Sequence, residues 1–262
     1  MHFLSIKCIF LSFNCNIFLY LSSNLQLCVM TMSRILIGLA IVLCILFVIF
    51  QFNDMELLSC ISRSLIVPVF TILYFKNVKH KSLYFTMFLV LFSISELSSL
   101  ASDYIPYEID YFVGNGLYII GYTFLLFEIL KSVDYRYIIN NYAMHIVILS
   151  ALNVYIVYVL LKIVNPYLGF SMEFVVELLY DIVMLLILSA SLLNYFYKDN
   201  RKSLLLFLGS LCIVFSEVII VAYMYISEKN LLIFSSSILS ILAFYFFYFQ
   251  SNLEDEKAKA LA

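Results

Sequence analysis

What most constrains this chain is the grouping of its apolar residues. They fall into eight runs of roughly twenty residues, at 34–52, 57–75, 82–102, 110–130, 138–162, 172–197, 203–226 and 230–250. Crossing the hydrocarbon core of a bilayer takes an α-helix about 20 mostly apolar residues, and each run meets that need. The connections are short: "NDME", "KNVKHK", "SDYIPYEID", "KSVDYR", "NPYLGFSM", "KDNRK" and "SEKN". They leave no room for a water-soluble domain. Composition agrees, with 65% apolar and 12% charged residues, where soluble domains have about 45–50% and about 25%. One globule of 262 residues cannot hide that excess from water. The expected fold is all-α: a polytopic membrane bundle of eight transmembrane helices over residues 32–252, with a short tail at 253–262.

Loop charges alternate in sign. Lys76, Lys79 and Lys81 share one loop, Lys131 and Arg136 lie two loops later, and Lys198, Arg201 and Lys202 two later again. The intervening loops carry Asp54 and Glu56, then Asp103, Glu108 and Asp110, then Glu228 beside Lys229. Short basic loops stay in the cytoplasm. Eight spans then place both termini there, and the expected location is the cell (inner) membrane of a bacterium. Residues 1–31 are apolar but broken by Asn and Ser, whereas "MTMSRILIGLA" has the look of a natural start, with Arg34 as its inner anchor. The upstream stretch is read as an extension outside the fold; a ninth span and a signal sequence are the alternatives.

Several function classes are disfavoured. A net charge of -2 with no basic patch gives no footing for nucleic acid. The six cysteines form no C-x-x-C pair and the three histidines are scattered, so neither a metal site nor a cofactor is expected.

Two runs share a spelling. Lys81–Leu97 reads "KSLYFTMFLVLFSISEL" and Lys202–Val218 reads "KSLLLFLGSLCIVFSEV". Each reaches its glutamate, Glu96 or Glu217, fifteen residues after the lysine. At 1.5 Å per residue both carboxylates stand about 22 Å from the inner edge of a core about 30 Å thick. The third and seventh helices run the same way, four spans apart, as two parallel four-helix halves would have them. A chance match is the other reading.

An ionisable group at the bilayer centre costs about 2.5–3.5 kcal/mol, so such groups usually face the bundle interior and find partners. Counting inward from the outer ends brings Arg63, Glu177, Asp181, Asn115 and Asn153 to the layer of Glu96 and Glu217. Glu177 and Asp181 are four apart on one face of the sixth helix, and Tyr118 and Tyr122 continue the face of Asn115 on the fourth. Four carboxylates cannot all be ionised beside the single cation Arg63, so at least one is expected to be protonated. A protonated acid near an ionised one suits general acid–base chemistry. The plainer readings make Arg63 and Glu96 an ion pair that sets helix register, and Glu177 a solvated interfacial residue.

The pattern resembles the YhhN-like, or lysoplasmalogenase, family of membrane proteins. "RSLIVP" at Arg63–Pro68 stands where that family has a Lys-Pro-Leu on helix two. "SISEL" holds Ser95-Glu96 in place of its Gly-Asp, and "GSLCIVFSE" places Gly209 and Ser216-Glu217 like its Gly and Ser-Asp on helix seven. "YFVGNGLYIIGY" supplies Tyr111, Gly114, Tyr118 and Tyr122 at the spacing of its Phe, Gly, Phe and His, and "YFFYFQ" resembles its closing Tyr-rich stretch. The departures are Lys to Arg, Asp to Glu twice, and His to Tyr122. The resemblance implies hydrolysis of the vinyl ether bond of a lysoplasmalogen, a membrane lysophospholipid, with no cofactor or metal. Glu96 and Glu217 would be the acid–base pair, in either order, supported by Asp181. Arg63, Asn115, Tyr118, Tyr122 and Glu177 would contact substrate. A small-molecule or proton-coupled transporter, whose buried carboxylates relay ions, is a second reading of the same layer. A structural or sensory membrane protein is the third.

Overall fold

The computed structural model describes residues 34–253 apart from 54, 170 and 228, and apart from the side chain of Asp103. The expected extension at 1–31, and the tail beyond residue 253, lie outside the described residues. The regular structure among them is helical: α1 (Arg34–Phe52), α2 (Glu56–Ser64), α3 (Ile66–Asn77), α4 (Leu83–Ser98), a 3-10 turn at Ser99–Tyr104, α5 (Tyr107–Lys131), α6 (Tyr135–Leu168), α7 (Met172–Lys198), α8 (Arg201–Tyr225) and α9 (Asn230–Ser251). Among the described residues, eight helical stretches are long and apolar enough to cross a membrane, with α2 and α3 together forming the second, Glu56–Asn77. They coincide with the eight apolar runs.

The helices pack in sequence neighbours and across the bundle. α8 lies along α9, α4 along α5, α7 between α5, α6 and α8, and α3 against α4 and α9. The outer surface is apolar: on α6, Val147, Val154, Tyr155 and Tyr158 are each at least 60% exposed. Inside, an aromatic cluster crosses the bundle. Phe88 stacks on Phe244 at 5.9 Å and meets Phe247 edge-on at 5.6 Å, while Phe92 meets Tyr122 edge-on at 4.9 Å. Edge-to-face and offset pairs add about 0.5–1.5 kcal/mol each beyond burial. Gly209 lets α8 approach this cluster, since a Cβ there would stand 2.5 Å from Cε1 of Phe247.

Besides a kink at Tyr142 within α6, three features depart from plain eight-rod geometry. First, the second span is broken at Leu65. Pro68 explains it: its nitrogen donates nothing to the carbonyl of Ser64, and its ring crowds that carbonyl. Arg63 therefore sits in the last turn of a separate short helix. Second, α4 tightens into the 3-10 turn just after Glu96. There Ser98, Ser99 and Ser102 each donate to a carbonyl three residues back, on Ser95, Glu96 and Ser99, all at 2.8 Å. Such back-bonding competes with the α-helical ladder and favours the tighter turn.

Third, α6 runs longer than expected, because "NPYL" continues the helix instead of forming a loop. Pro166 lies in the final turn, where its missing N–H costs one bond near a frayed end. The helix stops at Gly169, whose φ of 59° suits glycine and whose N–H donates to Asn165 O at 2.9 Å.

Candidate functional site

Eight helical segments, α2 to α9, line a cavity of about 300 Å³ towards the end of the bundle that carries the acidic loops. α7 contributes Glu177, Tyr180, Asp181 and Met184 to its wall. Their spacing of three, one and three residues is a single helical face. α5 contributes Tyr111, Asn115 and Tyr118, four and three residues apart, and α4 contributes Phe92 and Glu96. Ser216 and Glu217 come from α8, Ser236, Ser237 and Phe244 from α9, and Arg63 from the end of α2. Every residue singled out from the sequence for catalysis or binding lines this cavity except Tyr122, which stands just behind it.

Tyrosines hold the carboxylates. Tyr118 donates to Glu96 Oε1 at 3.1 Å, Tyr122 to Glu217 Oε1 at 3.2 Å, and Tyr111 to Glu177 Oε1 at 3.0 Å. All three donors belong to α5. Tyr118 and Tyr122 are four residues apart, so their Cα atoms are separated by about 6 Å along the helix axis. Glu96 from α4 and Glu217 from α8 thus reach successive turns of one helix. Tyr122 is 1% exposed. From behind the cavity wall it holds Glu217 through that hydrogen bond. The serines before both glutamates are tied as well. Ser95 donates to Gly114 O at 3.2 Å, and Ser216 to Ser236 O at 2.9 Å. Each fixes the rotation of its helix next to the carboxylate.

The remaining expected residues differ in detail. Asn115 lines the cavity, but its side-chain N–H donates to Tyr111 O at 2.9 Å on its own helix. Asp181 is 4% exposed and stands one turn from Glu177 on the same wall. Asn153 does not join the cavity wall; it exchanges hydrogen bonds with Ser189 at 2.8 and 3.2 Å. Its depth was legible, but its direction around α6 was not. Arg63 makes no ion pair with Glu96 or with the other three carboxylates, so the register-setting pair expected as a plain alternative is not formed. Glu177 lines the cavity wall and accepts a hydrogen bond from Tyr111.

Sequence reading missed Tyr180, Ser237 and Phe244. Tyr180 meets Tyr122 edge-on at 5.6 Å and reaches the cavity beside Glu217. Tyr, Ser and Phe abound in these helices as packing residues, and only the fold tells which of them face inward.

Two further cavities frame the site. One, of about 260 Å³, opens among Gln51, Glu56, Ser59, Tyr223 and Asn230 at the acidic end and shares Arg63 with the central cavity. The other, of about 130 Å³, lies at the basic end among His80, Ser82, Glu128, Asn194, Lys198, Lys202 and Gln250. The aromatic cluster separates it from the centre. Ser82 donates to Glu128 there. Among the described residues no cluster of His, Cys, Asp and Glu has the form of a metal site. No family model, curated protein or solved structure matches the chain.

Proposed function

We propose that this protein is a polytopic membrane lipid hydrolase that cleaves the vinyl ether bond of a lysophospholipid, as the YhhN-like resemblance implies. The reading rests on one observation: Glu96 and Glu217 line one cavity and are held by tyrosines a single helical turn apart. Paired carboxylates at roughly 5–10 Å are what glycosidases use on a closely related oxocarbenium-like transition state. One glutamic acid donates a proton to the alkene carbon remote from the ether oxygen. The cation that forms at the other carbon is stabilised by the second, ionised carboxylate. That carboxylate then takes a proton from water as the water oxygen bonds to the cationic carbon. The hemiacetal collapses to a fatty aldehyde and a glycerol hydroxyl. The balance is one water consumed, with no redox partner. A cavity of about 300 Å³ lies at the lower end for small-ligand sites, and Phe92, Phe244 and Met184 give it an apolar side for a chain.

The membrane setting is part of the proposal. The apolar outer surface, the alternating loop charges and the eight long helices support a multi-pass protein of a bacterial inner membrane, with both termini cytoplasmic. Two parallel halves are supported by packing as well as spelling. The closely packed pairs α4–α5 and α8–α9 are the third with the fourth span and the seventh with the eighth.

A carrier is the second reading, and the broken second span favours it, because discontinuous helices beside a buried site are frequent in transporters. The same preparation separates the two. Purified protein incubated with a lysoplasmalogen is expected to release fatty aldehyde. Proton uptake coupled to solute entry into proteoliposomes, without lipid turnover, would replace the hydrolase with the carrier.

A further inference from the structure

Among the described residues, two buried side-chain polar atoms have no hydrogen-bond partner, Arg63 Nε and Ser237 Oγ. Orphaned buried donors are rare in folded proteins, and each calls for an occupant. Both residues line the central cavity. Their placement is closer than that. Arg63 also lines the outer cavity, as does Ile233. Ile233 and Ser237 are four residues apart on α9, hence on one face and one turn apart. Arg63 and Ser237 therefore stand where the two cavities meet. Arg63 is the sole cation on the central wall, and no carboxylate engages it.

We infer that Arg63 and Ser237 form an oxyanion site at this junction, which takes the phosphate of a single-chain phospholipid. A guanidinium N–H and a hydroxyl both donate to a phosphate oxygen, and charge-assisted bonds of this kind are the strong ones. Held there, the lipid extends two ways. Its chain enters the central cavity, past Glu96 and Glu217 and against Phe244. Its headgroup occupies the outer cavity. The four carboxylates lie on α4, α7 and α8, so the α2–α9 side is the one wall where an anion is favoured. This inference rests on the lipid reading above, and it adds Ser237 and a direction of entry to it.

The test is a binding measurement that needs no turnover. The full-length protein in detergent micelles is titrated with 1-palmitoyl-glycerophosphocholine, which has no vinyl ether, and with 1-palmitoylglycerol, which has no phosphate. The wild type should bind the phosphate-bearing lipid at least tenfold tighter. Ser237→Ala and Arg63→Lys, which keeps the charge but loses Nε, should each weaken that lipid about tenfold. Neither should change the affinity for 1-palmitoylglycerol, which also certifies the fold of the variants. Equal affinity of the wild type for both lipids, or equal losses for both in the variants, would overturn the site. Displacement of the lipid by an equal concentration of inorganic phosphate would overturn the lipid assignment in favour of free phosphate. Aldehyde release is scored separately, so a site that binds without turnover leaves this inference standing while the hydrolase falls.

Discussion

A carboxylate in a long apolar helix is costly enough to be conspicuous, and that is why Glu96, Glu217, Asp181 and Glu177 could be found by counting along the chain. Depth is nearly a linear function of position in a straight helix. Direction around the helix is not, because it depends on packing that a single sequence does not display. Asn153 illustrates the gap: it has the right depth and pairs with Ser189 instead of facing the cavity. Ser237 illustrates the reverse, since nothing in "SSSILS" separates its orphaned hydroxyl from that of Ser235, which donates to Leu231 O at 2.7 Å. The tyrosines carry the clearest prediction at this scale. Tyr122→Phe removes the donor to Glu217 and keeps the ring that packs on Phe92. A hydrogen bond to a charged group contributes about 1.5–3 kcal/mol. Turnover of a lysoplasmalogen should fall at least tenfold, with thermal stability changed by only a few degrees.

At the level of elements, the eight apolar runs and their order were legible, and the ends of α6 and the break in the second span were not. A proline near a helix end reads as a stop, yet the effect depends on which carbonyl it deprives. Pro166 deprives one near the close of α6 and the helix continues, whereas Pro68 falls mid-span and the helix divides. The division ends α2 directly after Arg63 and Ser64, beside the central and outer cavities. Glycine at 209 sets the second constraint. In "GSLCIVFSE" its spacing alone is visible, and the structure supplies the cause: Phe247 is fully buried and fills the space a side chain would need. Gly209→Ala should lower stability by about 1–3 kcal/mol through overpacking. The measurement is thermal unfolding in detergent, and an unchanged midpoint would contradict the close α8–α9 approach.

For the whole molecule, an aromatic layer divides two polar regions. Above it lie the carboxylate cavity and its outer neighbour, and below it the cavity of Glu128, Asn194 and Gln250 at the basic end. A hydrolase drawing lipid from one leaflet needs the upper region alone. A carrier would have to open the layer. The proposed orientation puts the acidic loops outside, so a cysteine introduced at Glu108 should react with a membrane-impermeant maleimide in intact cells, and one at Lys131 only after permeabilisation. The reverse pattern would invert the topology and with it the leaflet that supplies substrate.

The central claim is that Glu96 and Glu217 act as one catalytic pair. Groups that act as a unit are strongly non-additive when removed. The measurement is aldehyde release from a lysoplasmalogen by the wild type, Glu96→Gln, Glu217→Gln and the double variant, each shown to be folded by its unfolding midpoint. Each single variant is predicted to lose at least a hundredfold in rate, and the double variant no more than the worse single one. Wild-type turnover by either folded single variant would contradict the account.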